Sequence, residues 1–133
     1  MEALKWARTA LIGTRCTLPT ELLALYPELV RARYRRGGLP LRLGGWFLGT
    51  ASVAGITVGK TIWLHERAQL SAELLLHELC HVHQFHAVRG FPLRYVWESI
   101  RSGYRSNRFE IDARTFASAR LRGSHSASPR EDV

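Results

Sequence analysis

Long apolar runs are missing from this sequence. No stretch approaches the roughly 18 apolar residues of a membrane span, so a membrane protein of the helical kind is not expected. Cysteine is scarce: Cys16 and Cys80 are the two in the chain, and no C-x-x-C occurs. That excludes a disulfide framework. Cys80 lies inside an apolar segment and reads as a small buried hydrophobe. The N-terminal "MEALKWARTALIGTRC" has its apolar residues interrupted by Arg8 and Arg15, which argues against a signal peptide. A cytoplasmic protein is expected. Internal repeats and long linkers are also absent.

Acidic residues are few, 11 against 19 Lys and Arg, for a net charge of +8. Such a balance permits attraction to nucleic acid or another acidic partner. The arginines, however, are spread along the chain. The densest cluster, "RARYRR" at 31–36, fits a solvated strand face and turn better than a binding patch. With 133 residues, 46% of them apolar and 23% charged, the chain suits one globular domain with a single core.

Periodicity then divides the chain. "LPTELLALYPEL" predicts a short helix capped by Thr20 and ended by Pro27 near Tyr26. "VRARYRRGG" alternates as a half-exposed strand, and "LPLRLGGWFLG" reads as a second extended piece broken by glycines. "SVAGITVGKTIWLHE" predicts a hairpin turning at Gly59-Lys60. From Ser71 to Gly90 the period becomes helical, with Ser71 as N-cap. "FPLRYVWESIRSGY" predicts a further helix started by Pro92 and broken by Gly103, with Leu93, Val96, Trp97 and Ile100 at helical spacing. A last helix over "NRFEIDARTFASARLR" has Asn107 as cap and Phe109, Ala113, Phe116 and Ala117 on one side. The domain is expected over 1–122, and the small polar stretch 123–133 is expected to be a disordered tail.

The helix at 71–90 contains "LLLHELCHVHQF". Ionisable side chains among bulky apolar ones are costly to bury without partners. With His77 at zero on a wheel of about 100° per residue, His81 falls near about 40° and Glu78 near about 100°. Leu75, Leu79 and Val82 cover the opposite side, so the helix is apolar almost all round and should be central. His77-Glu78-Leu79-Cys80-His81 is H-E-x-x-H. Imidazoles four apart on a helix point the same way and can hold one zinc, while the adjacent Glu can reach a water on that metal as general base. A catalytic zinc site also wants a third protein ligand. The metzincin continuation fails, because Gln84 and Ala87 stand where it needs glycine and histidine. His83 and His86 lie across the helix from His77. His65, Glu110 and Asp112 remain as candidates. Glu110 and Asp112 project about 200° apart on a helix, so one of them at most can face the metal. Periodicity and side-chain length lean to Glu110 without deciding.

"HELCHVHQ" followed by "YRSNRFEIDA" resembles the small gluzincin-type zinc metallopeptidases, which pair H-E-x-x-H-x-x-Q with a downstream "N-P-F-E-x-x-A"-like helix. The likeness covers about residues 50–117. It implies His77 and His81 as zinc ligands, Glu110 as the third ligand and Glu78 as general base. It also implies that "TIWL" at 61–64 is the edge strand that pairs with an extended peptide substrate. Arg108 replaces the proline of that motif. Arg114 stands where larger members have a histidine-orienting Asp, so support for the ligands must come from elsewhere. Tyr104 and Arg105 are candidates to stabilise an oxyanion. The expectation is an α+β minimal zincin-like domain, a small antiparallel sheet packed on the central H-E-x-x-H helix with further C-terminal helices. It would hydrolyse peptide bonds with zinc as cofactor and peptide or protein as substrate. The rival expectation is a zinc-stabilised or inactive module that binds peptides or an acidic partner.

Overall fold

The alternation of "RARYRR" and the hairpin pattern of "GITVGKTIWL" both become strands, joined by a connection that the sequence disguises. The computed structural model describes residues 1–47 and 54–126. Along the chain run α1 (Glu2–Ile12), β1 (Thr14–Arg15), α2 (Thr20–Leu25), a 3-10 segment (Pro27–Arg31), β2 (Arg33–Arg36) and α3 (Leu39–Phe47). They are followed by β3 (Gly55–Val58), β4 (Thr61–Leu64), α4 (Ala72–Ala87), α5 (Phe91–Ser102) and α6 (Arg108–Ser126). This is the α+β class expected. The last helix continues to Ser126, four residues past the expected end of the domain at 122, and 127–133 lie outside the described residues.

Two expectations for the sheet are corrected. It is mixed rather than antiparallel, with strand order β1-β2-β4-β3. β1 with β2 and β3 with β4 are antiparallel, but β2 and β4 run parallel, Tyr34 opposite Ile62. Consequently "TIWL" is an interior strand, and the edge next to the H-E-x-x-H helix is β3, "GITV". Parallel neighbours need a crossover. Here α3 lies within that connection, in the stretch read as extended. Gly44 made that helix hard to read, since glycine is a poor helix former. Its reason is packing: a Cβ there would come within 2.7 Å of Ile56 Cδ1, so the missing side chain lets α3 lie close against β3.

The central helix behaves as its pattern demands. Ser71 caps α4, its hydroxyl accepting from the Leu74 amide at 3.2 Å. Leu75, Leu76 and Leu79 are fully buried against Ile62 and Leu64 of the sheet and Leu29 of the 3-10 segment. The opposite layer is α6, where the small residues Ala113 and Ala117 let the two helices pack closely. α2 ends at Leu25, before Tyr26, but Pro19 and not Thr20 precedes its first turn.

Arginine in "RARYRR" is partly structural. Arg35 donates to the carbonyls of Ile12 and Gly13, and Arg36 to those of His65, Glu66 and Ala68. These bonds close the C-terminus of α1 and the loop that feeds α4.

Asn107 joins α5 to α6. Its side-chain oxygen accepts from the Phe109 amide at 2.9 Å, and its amide nitrogen donates to the Tyr95 carbonyl and the Ser99 hydroxyl. The residue is fully buried. Asn107→Ala removes a helix cap and leaves buried groups unpaired, so a loss of about 2–3 kcal/mol is expected. Urea unfolding followed by circular dichroism measures it; an unchanged midpoint would show that the cap is dispensable.

Candidate metal centre

The site is assembled by α4 and α6 facing each other. His77 and His81, one turn apart on α4, turn their Nε2 atoms to the same point. Glu110, in the first turn of α6 and 2% exposed, brings its carboxylate to that point. Glu110 Oε2 is 2.9 Å from His77 Nε2, and Oε1 is 3.1 Å from His81 Nε2. All three donor groups fall within 4.8 Å of one another, and among the described residues they form the one such group of His, Cys, Asp or Glu. Donors around a zinc with bonds of about 2.0–2.1 Å lie roughly 3.3 Å apart, and the two contacts of Glu110 to the imidazoles, 2.9 and 3.1 Å, are close to that spacing. Two imidazoles and a carboxylate are also the donor types that zinc takes.

Glu78 lies outside this donor group. It is buried, and the Thr57 hydroxyl of β3 donates to its Oε2 at 2.7 Å. Gly55 makes room for it: a Cβ there would sit 3.1 Å from Glu78 Oε1. The two carboxyls are driven in opposite directions. Burial pushes Glu78 above the usual carboxylate range, against the charges of the two histidines and the Thr57 bond. Burial pushes Glu110 the same way, but the hydrogen bonds from His77 and His81 outweigh it and hold its carboxyl well below that range. His81 is moved too: its own desolvation disfavours charge, and the bond to Glu110 overrides this and raises its pKa.

The support missing at Arg114 comes from residues that the sequence reading left without a role. Gln84 donates from its amide nitrogen to the Phe109 carbonyl at 3.0 Å, which fixes its oxygen towards His81 Nδ1 at 2.7 Å. His81 therefore donates from Nδ1 and keeps Nε2 free for the site. Tyr95 of α5 donates to Glu110 Oε1 at 2.7 Å. Gln84 had a signal, the glutamine three residues after His81. Tyr95 and Thr57 had none, because their roles depend on how α5 and β3 pack.

The other candidates are dispersed. Asp112 is exposed on the outer side of α6. His65 accepts from the Arg67 amide through Nδ1 and lies outside the donor group. His83 packs edge-on against Phe116, and His86 Nδ1 bonds the Val82 carbonyl. Cys80 is buried, and desolvation with the nearby Asp112 and Glu110 charges pushes its thiol up to about 11. Tyr104 lies at the site's rim, its hydroxyl pushed up to about 12 by burial and by Glu110. Arg105 is exposed, and its carbonyl accepts from Arg114.

His81 and Glu110, with Glu78, line a cleft of about 560 Å³. Pro40, Leu43 and Gly44 of α3 with all of β3 form one wall; Phe91, Pro92, Tyr95 and Val96 of α5 form the other. The surface inside is almost wholly apolar. No known family model matches the chain, nor does any curated protein or solved structure. The resemblance to gluzincins therefore rests on the sequence motif alone.

Glu110→Ala is expected to weaken zinc binding at least about 10-fold and Gln84→Ala by about 10–100-fold, the range for damage around a metal. Asp112→Ala should leave it unchanged. Competition titration with a chromophoric chelator reads all three, and a loss at Asp112 equal to that at Glu110 would refute the assignment.

Proposed function

We propose that the protein is a zinc-dependent peptidase. The observation that carries this reading is the convergence of His77, His81 and Glu110, two of which, His81 and Glu110, line an apolar cleft, with Glu78 buried beside them and bound to Thr57. Zinc held by the three donors would polarise a substrate carbonyl and acidify a water. A metal kept for stability alone would not call for a buried carboxylate next to the trio. Two histidines and a carboxylate also suit iron(II), but the same neighbouring base favours hydrolysis.

The chain's own residues supply the rest. β3 is an edge strand that lines the cleft from Gly55 to Val58, so an extended peptide can pair with its free backbone groups. This moves the substrate-pairing role from "TIWL" to "GITV". Thr57 occupies Glu78 Oε2 and leaves Oε1 to accept a proton from water. The water oxygen bonds to the peptide carbonyl carbon. Glu78 then returns the proton to the departing amine nitrogen as the C–N bond breaks. The desolvated setting of Glu78 raises its proton affinity towards what this exchange needs. Tyr104, which lines the cleft, would be the candidate donor to the developing oxyanion.

Glu78→Gln should retain one zinc per chain by elemental analysis while hydrolysis of a peptide library falls by at least about 100-fold, the lower end for general base loss. Wild-type protein that holds zinc tightly and cleaves nothing would instead favour the peptide-binding module.

A further inference from the structure

The amphipathic helix α5 is mounted with its apolar side outward. Phe91, Tyr95 and Glu98 face the interior, while Leu93, Trp97 and Ile100 are 79%, 61% and 71% exposed. At about 100° per residue these three fall within an arc of about 60°. Val96 extends the arc to about 100° and also lines the cleft, so the cleft's apolar wall continues round α5 onto the surface.

The charge around this face has one sign. From 88 to 109 the chain carries Arg89, Arg94, Arg101, Arg105 and Arg108, all exposed. The one acid of that stretch, Glu98, is buried and pairs with Arg101 at 3.3 Å. Arg94 and Arg108 flank Leu93, Trp97 and Glu98 around a shallow hollow of about 280 Å³.

We propose that α5 is an interfacial helix that seats the mouth of the cleft on an anionic lipid surface. A helix lying in the headgroup layer needs a bulky apolar face and a rim of arginines that bond phosphate while their stems stay in apolar surroundings. Tryptophan suits the same depth, apolar in body with one N–H to donate. Arg94 and Arg108, on either side of the hollow, would bond headgroup phosphates, while the Glu98 carboxylate that also lines it is engaged by Arg101. A second copy fits poorly, since a twofold contact would set this arginine set against itself. The helix docks and does not span: among the described residues no helix is long and apolar enough to cross a membrane. This inference does not require the peptidase reading, because docking uses none of the metal donors.

Flotation of the full chain with vesicles provides the test. Partition into phosphatidylcholine–phosphatidylglycerol vesicles, and little into pure phosphatidylcholine, is expected. Leu93→Ser with Ile100→Ser should cut that partition at least about 10-fold, as should Arg94→Glu with Arg108→Glu, with circular dichroism and zinc content unchanged. No partition into anionic vesicles overturns the proposal. So does partition that ignores the serine pair, which would mean charge attraction alone. A dimer in size-exclusion chromatography that the serine pair dissolves would identify a second copy as the occupant and equally overturn it.

Discussion

A carboxylate in the middle of a protein must be satisfied from all sides or it will not stay ionised. Glu110 is that carboxylate, and the C-terminal half of the fold is arranged around it. His77 and His81 reach it from α4, and Tyr95 reaches it from α5. Asn107 holds the start of α6 against α5, so that Tyr95 and Glu110 arrive together. Ala113 and Ala117 bring α6 close enough to α4 for short bonds. The two imidazoles and Glu110 hold α4 and α6 together at this point. A divalent metal bound by the trio would tie occupancy of the site to the stability of the α4–α6 layer.

How much of this was legible depended on whether the signal was local. Ser71, the apolar wrap of α4, the Gly59-Lys60 hairpin and the Asn107 cap are each written in a few adjacent residues, and each folds as read. The cluster of His77, His81 and Glu110 was legible because its two histidines share one helix face and Glu110 borders the packed face of another. The parallel pairing of β2 with β4 was not, since it depends on α3, and Gly44 resembles a strand break until Ile56 is seen to fill its space. Once that pairing is known, the exchange of places between "TIWL", now interior, and "GITV", now the edge, follows. Thr57, Gln84 and Tyr95 share the same obscurity: each acts across an interface between elements distant in sequence.

The opposite failure is instructive at α5. Leu93, Trp97 and Ile100 repeat as a core-facing stripe would, yet the fold turns them to solvent. The reason lies at the other side of the helix. Tyr95 must face Glu110, and Ser99 must face Asn107, so the polar partners of the site dictate the helix rotation and the apolar stripe goes outward. Periodicity names the two sides of a helix; which side is buried is decided by what the neighbouring helix requires.

The site also shows one apolar interior producing two kinds of carboxylate. Glu78 and Glu110 are both buried, so desolvation drives both towards the neutral form. They separate because of what they touch. Glu110 accepts from two imidazoles and a phenol and is held as the anion. Glu78 has one hydroxyl partner, Thr57, with the backbone of Gly55 against it, and its proton affinity rises. Under the peptidase proposal these would be the states of a metal ligand and of a general base, and Thr57 and Gly55 on β3 would then bear on the chemistry although neither carries a charge.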